Sequence, residues 1–170
     1  RWQQQLLRSS SWCAAAGLLG SSPGFLCQQT GKTAMRGTDF LIEYRRYGRR
    51  DFAGERLSGS SLVMANLVDT NLRDASLAGS ILTGVNLSSS DLQGCDLWCC
   101  NLRNADLRTA NLSGAKLRAA DLTEADLSGA DLTGADFSIA NLRDARVTKE
   151  QLAAAASLQG AIMPDGTTHE

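Results

Sequence analysis

From Phe52 to Val147 a large apolar residue returns at every fifth position without a miss. The stretch ADLTEADLSGADLTGADF, residues 120–137, shows the pattern most cleanly: Leu122, Leu127, Leu132 and Phe137 each follow an Asp, and each Asp follows an Ala. Twenty consecutive centres hold 17 Leu, two Phe and one Val. Neither regular backbone accounts for this period. Five residues advance an α-helix by about 500°, so the leucines would wind around the cylinder and form no stripe. In a strand, side chains alternate faces, and an odd spacing throws successive leucines to opposite sides. The chain must instead turn a corner every five residues, always in the same sense, so that each leucine points to one axis. With corners near a right angle, four pentapeptides close a coil of about 20 residues, and stacked coils build a core that no single repeat can build alone.

The positions around each centre agree. From Ser60 to Ala145 the residue two before the centre is only Ala, Ser, Thr, Cys or Val, which suits a small side chain pointing inward beside the large one. The residue one before is mostly Asp or Asn, the residue one after mostly Ser, Thr or Arg. Two after, Gly recurs, as a tight turn requires. This A-(D/N)-L-x-x register over residues 50–149 resembles the pentapeptide-repeat family. The resemblance implies an all-β solenoid, a right-handed quadrilateral β-helix. Twenty pentapeptides make about five coils, a rod roughly 24 Å long at ~4.8 Å per coil. The register departs from the family pattern at its start, where Arg50 and Glu55 take the small-residue position. The first coil is therefore expected to be looser, or shielded.

A solenoid has two raw ends that need covering. Residues 38–49, in TDFLIEYRRYGRRDF, read as an N-terminal capping helix. Thr38 or Asp39 can cap its start, Arg45 and Arg46 suit its last turn, and Gly48 can end it. Phe40, Leu41, Tyr44 and Tyr47 supply an apolar face. Residues 150–170 read as a C-terminal capping helix and tail. Thr148 and Gln151 have capping-box spacing, the alanines favour helix, Gly160 stops it, and a Pro-Asp-Gly turn carries the tail out of the fold. Leu152, Ala156 and Leu158 would cover the last coil. Both flanks resemble those of cyanobacterial-type family members. Residues 1–37 differ in kind. They carry Arg1, Arg8, Lys32 and Arg36 but no Asp or Glu, and are rich in Ser and Gln. This is the composition of a targeting segment, with a disordered tail as the alternative. The run WCAAAGLLG is too short to span a membrane. Plastid or thylakoid lumen is the expected location if residues 1–37 are a targeting segment, and the cytoplasm otherwise.

No chemistry is legible. Cys95 and Cys100 fall at the small inward position and Cys99 at a corner; the C-x3-C-C run lacks zinc spacing, and the sole histidine is His169. The aspartates are accounted for by the repeat, and no nucleophile elbow, phosphate loop or histidine pair is present. No catalytic residue, cofactor or metal is expected. What remains is a surface. Residues 20 apart should be vertical neighbours, which gives outward columns such as Asp51, Asn71, Asp91, Asn111, Asp131. Asn, Ser or a base mostly separates the acids, and only Asp106 over Asp126 is a direct acidic stack. The apolar exceptions are Val63 and Met64, Ile81, and Trp98 beside Cys99. Arg118 lies one coil above Trp98, within cation–π reach. Val63, Met64, Ile81, Trp98 and Arg118 form the candidate interaction surface.

The leading reading is a non-enzymatic structural or protein–protein interaction module with an unidentified protein partner, expected to be a monomer, with no nucleic acid and no membrane span. Some members of the family bind DNA gyrase by imitating DNA, so the alternative is a DNA-mimicking gyrase- or topoisomerase-binding protein; an enzyme stands behind both. A mimic needs a dense acidic face, whereas residues 50–149 hold 13 acidic and 10 basic residues.

Overall fold

The structure, a computed structural model, describes residues 37–170. The expected leader, residues 1–37, lies outside the described residues except for Gly37. From Asp51 to Arg146 the chain is a solenoid in which parallel bridges join residues 20 apart, from Asp51–Asn71 to Asp126–Arg146. One rung illustrates the rest. The Asn71 N–H donates to the Arg50 carbonyl at 2.8 Å, and the Asn71 carbonyl accepts from the Phe52 N–H at 2.7 Å.

The period of five is the sum of three extended residues and a two-residue corner. In the extended part the small residue points in, the Asp or Asn points out, and the centre points in. Ala105, Leu107, Ala110 and Leu112 are all buried, as is central Leu102, with 0% exposure. The corner is a β-turn closed by the next small residue, as in Ala65 N–H to Leu62 carbonyl at 3.1 Å. Its second residue has φ between +53° and +71° at every corner from Gly54 to Asp144. Glycine takes that conformation freely, but eleven of these positions hold another residue, including β-branched Ile139 at +53°. The stack, not the local residue, dictates the corner.

The Asp or Asn before each centre has a second task. Its side-chain oxygen accepts from the backbone N–H two residues on, as in Gln93 N–H to Asp91 Oδ1 at 3.2 Å and Thr133 N–H to Asp131 Oδ1 at 3.0 Å. This Asx arrangement primes the corner. Sequence spacing alone assigned these residues only to the outward face. Where the inward position is Ser or Thr, its hydroxyl is paired. Ser80 Oγ donates to the Leu57 carbonyl at 3.1 Å and accepts from the Ser60 N–H at 3.1 Å.

At the N-terminal end, α1 (Gly37–Tyr47) lays Phe40 against Phe52, with ring centroids 4.2 Å apart. Gly37 sits so close to the first coil that a Cβ there would lie 2.9 Å from Ser60 Cβ. Arg49 pairs with Glu55 at 2.8 Å and lies over the Phe52 ring, which gives the charge at this irregular small-residue position a partner.

The C-terminal end differs from the sequence expectation. The capping box forms, with Gln151 N–H to Thr148 Oγ1 at 3.2 Å and Thr148 N–H to Gln151 Oε1 at 3.0 Å. Yet α2 (Lys149–Ala153) spans five residues and does not run on to Gly160. The chain then returns to the stack. Ser157 bridges Asp136 and Ile162 bridges Asn141, now 21 residues apart, and the tail folds back so that Thr168 pairs antiparallel with Ile162. The exposed backbone edge of the last coil outweighs the helical propensity of the alanines. Gln151 also donates from Nε2 to the Leu127 and Ala130 carbonyls, both at 2.8 Å.

Leu102→Asp is expected to abolish cooperative folding, because it places a charge without a partner on the axis. Leu102→Ala should lower unfolding free energy by about 2–5 kcal/mol in chemical denaturation. An Asp variant that melts with the wild type contradicts the inward assignment.

A candidate interaction edge and the charge columns beside it

Outward side chains meet by a simple rule. The residue after a centre reaches the residue before the centre of the next coil, 18 positions on. Arg73 pairs with Asp91 at 3.2 Å, Arg103 with Asp121 at 3.3 Å, and Ser58 Oγ lies 2.7 Å from Ser76 Oγ. Thr123 and Asn141 meet in the same way at 3.0 Å. Val63 and Ile81 stand in this relation, on the same side of the rod as Arg103–Asp121 and Thr123–Asn141. They put an apolar pair where polar pairs stand higher up.

Val63, Ile81 and Trp98 are each about half exposed, and Met64 is 73% exposed. Met64 belongs with the pair: its sulfur lies over Gly84 in the next coil, where a Cβ would collide with it. Trp98 sits on the corner that precedes this side, one coil above. Its carbonyl accepts from the Gly79 N–H at 2.8 Å, and Gly79 is two residues before Ile81. The structure thus brings Val63, Met64 and Ile81 together on one side and puts Trp98 at the adjoining corner. No Asp, Glu, Lys or Arg occurs in residues 57–68, 77–90 or 97–102. Charge borders the edge only at Trp98, whose backbone N–H donates to Asp96 Oδ1 at 3.2 Å and which Lys116 faces by the 18-residue rule.

Arg118 does not join it. Among the described residues the cations over aromatic rings are Arg46, Arg49 and Arg50, and Arg118 takes no such place over Trp98. By the 18-residue rule Arg118 faces the coil above, toward Asp136, whose acidity its charge strengthens. The sequence reading paired Arg118 with the residue below it, because column stacking alone does not reveal the upward lean. Ile139 is an exposed apolar residue that the sequence reading passed over. It supports the terminal segment, with its N–H bonded to the Gln159 carbonyl at 2.8 Å and its Cγ2 beneath Gly160. Its β-branched side chain at a corner position was the available signal.

Among the described residues, the cysteines offer no reactive centre beyond one exposed thiol. Cys95 and Cys100 are buried, and Cys100 Sγ donates to the Leu77 carbonyl at 3.0 Å. Burial pushes the Cys100 thiol up to about 11 and the Cys95 thiol higher still, so both stay protonated at neutral pH. Cys99 is exposed at its corner. Among the described residues no three His, Cys, Asp or Glu side chains are grouped to hold a metal ion.

The acidic columns are interrupted and partly neutralised. Asn71 Nδ2 donates to Asp51, and Asn111 Nδ2 to Asp91, each at 3.0 Å. The direct stack of Asp106 and Asp126 is bracketed by cations. Arg108 makes two hydrogen bonds to Asp106, at 2.8 and 2.7 Å, and Arg146 lies 3.5 Å from Asp126. The Arg108 guanidinium holds Asp106 below the usual carboxylate value. Asp126, Asp131 and Asp136 are lowered first by the side chains of Ser128, Thr133 and Ser138 and then by their backbone N–H groups.

These lowered values set a sign. A carboxylate whose folded value lies below its unfolded value stabilises the fold above the unfolded value, and that stability is lost as pH falls through the folded one. The melting temperature should therefore be flat toward neutrality and fall once pH drops below the ordinary Asp value of 3.8. A melting temperature that rises on acidification through this range contradicts the assignment.

A family model described as pentapeptide repeats matches the chain in eight copies, over residues 51–88, 70–108, 86–123 and 110–148. No curated protein matches the chain. Among similar solved structures, QnrB1, a plasmid-mediated fluoroquinolone resistance protein, is 21% identical over 67% of this chain and 66% of its own, with a TM-score of 0.49. The present chain thus spans just under two thirds of QnrB1. A pentapeptide repeat protein from Nostoc PCC 7120 is 31% identical over 74% of this chain and 98% of its own, with a TM-score of 0.39. One from the Arabidopsis thaliana thylakoid lumen is 26% identical over 61% and 72%, with a TM-score of 0.34.

Proposed function

The chain belongs to the pentapeptide-repeat family, and from that premise we propose that it is a non-enzymatic rod of about five right-handed coils, closed at both ends, that docks one protein partner through its apolar edge. The family match indicates no enzyme family. Closure is supported by Phe40 over Phe52 and by buried Leu152 with the terminal segment at the other end. A rod with no open edge has no reason to stack on a second copy, and the chain is a monomer in this reading.

The observation that carries the docking reading is the Val63–Ile81 pair. The cross-coil slot that holds Arg103–Asp121 and Thr123–Asn141 on the same side is apolar here, with Met64 and Trp98 beside it. Aromatic residues and Met are enriched at protein interfaces, and charged residues are depleted from their centres. The partner that fits is a protein segment with an uncharged, apolar face. The gyrase-directed reading has less support. A DNA mimic needs a continuous acidic surface, whereas here Asn or Lys interrupts the acidic columns and the one direct stack, Asp106 on Asp126, is bracketed by Arg108 and Arg146.

The test compares the full chain with a Trp98→Ala, Ile81→Ser double variant of unchanged melting temperature. Quantitative pull-down should show partner recovery weakened by about tenfold or more. Equal recovery by both proteins contradicts the edge as the docking site. Inhibition of gyrase supercoiling by the wild type would carry the alternative instead.

A further inference from the structure

The charge of this chain is divided along its length. Residues 1–50 hold eight Lys or Arg and two Asp or Glu, whereas residues 51–170 hold nine and sixteen. A split of this kind marks a chain whose two parts face different electrostatic surroundings. The described part of the basic region is α1 with residues 48–50, which together cover the first coil.

The needs of the cap account for only part of this charge. Arg49 is engaged, with Glu55 at 2.8 Å and with the Phe52 ring 4.7 Å from its guanidinium carbon. Arg46 and Arg50 are different. Both are exposed, and each lies over a tyrosine: Arg46 is 5.9 Å from the Tyr47 centroid and Arg50 is 4.2 Å from that of Tyr44. No carboxylate among the described residues pairs with either one. Stacking on a ring occupies the face of a guanidinium and leaves its in-plane N–H donors open. Elsewhere on the rod Arg73, Arg103, Arg108 and Arg146 each have an Asp. Arg56, Arg118 and Arg143 likewise form no ion pair among the described residues, so what sets the N-terminal end apart is that its two unpaired arginines, Arg46 and Arg50, are each braced on a tyrosine ring.

We propose that this end of the rod docks on an anionic lipid bilayer, meeting it end-on through Arg46 and Arg50 with their supporting tyrosines at headgroup level. Lipid phosphates accept the open guanidinium donors, and tyrosine is favoured at the membrane–water interface. The shape of the charge distribution selects a plane over a nucleic acid. A duplex lying across the end would carry its phosphates past Asp51 and the acidic columns behind it. A bilayer touches the end alone, and the acidic sides recede from it. Screening over ~8 Å, less than two coil spacings, hides most of them. Attachment is peripheral, since among the described residues no helix is long and apolar enough to cross a membrane.

The experiment is co-sedimentation of the full chain with vesicles of phosphatidylcholine mixed with phosphatidylglycerol, and with pure phosphatidylcholine. The protein should bind the mixed vesicles, ignore the neutral ones, and be released near 1 M salt, where the screening length is ~3 Å. Arg46→Gln with Arg50→Gln should weaken binding about thirty-fold, and Arg46→Gln alone about fivefold. The single variant keeps the test decisive if loss of the Arg50–Tyr44 contact disturbs folding. Equal binding to neutral vesicles overturns the proposal. So does wild-type binding by the single variant, which would assign the effect to the four cations of residues 1–36. Tighter binding to a DNA duplex than to the mixed vesicles at the same salt also overturns it.

Discussion

The corner with positive φ is the constraint on which the rest of this molecule depends. Three extended residues followed by a two-residue turn give the period of five, and four such units return the chain to a point above its start. Each coil then offers its backbone groups to the next, as Asn71 does to Arg50 and Phe52. A left-handed conformation costs an L-residue roughly 1–2 kcal/mol, yet Ile139, Thr109 and Glu124 adopt it. The cost is carried by what surrounds each corner: the cross-coil ladder, the Asx hydrogen bond from the preceding Asp or Asn, and the buried leucine beside it. A solenoid is cooperative in this sense. No corner is stable on its own, and each is imposed by its neighbours above and below.

The same geometry fixes which side chains meet outside. Because the residue after a centre leans toward the coil above, contacts run 18 residues forward as well as 20. That diagonal pairs Arg73 with Asp91 and Arg103 with Asp121, and so holds an acidic chain without a continuous acidic face. It also makes neighbours of Val63 and Ile81. A surface built by translation of one motif shows its exceptions clearly: an apolar pair in a polar slot, and two arginines stacked on tyrosines at one end.

Much of this was legible in the sequence, and what was not has identifiable causes. The period of five implied the coil, and the inward stack of Leu62, Leu82, Leu102, Leu122 and Leu142 followed from it. The four described apolar members of the edge could be chosen because the register is unbroken. Arg118 could not be placed correctly, since a column of positions says nothing about the direction in which a side chain leans. The last coil was hidden for another reason. Five helical residues shift the register by one, so Leu158 and Met163 resume the repeat out of phase behind a run of alanines that reads as helix. Local propensity and the demand of an open edge gave opposite answers at Ala154–Ala156, and the edge prevailed.

The outward contacts depend on the register, because a coil one residue longer or shorter would separate Val63 from Ile81 and Arg103 from Asp121. Scalar coupling across hydrogen bonds in an isotope-labelled protein reads it directly. The account predicts coupling from the Asn111 amide nitrogen to the Ser90 carbonyl carbon, and from the Leu92 nitrogen to the Asn111 carbonyl carbon, the bonds seen at 3.0 and 2.8 Å. Coupling of the Asn111 nitrogen to the carbonyl of Ser89 or Asp91 instead would contradict the 20-residue coil and every contact derived from it.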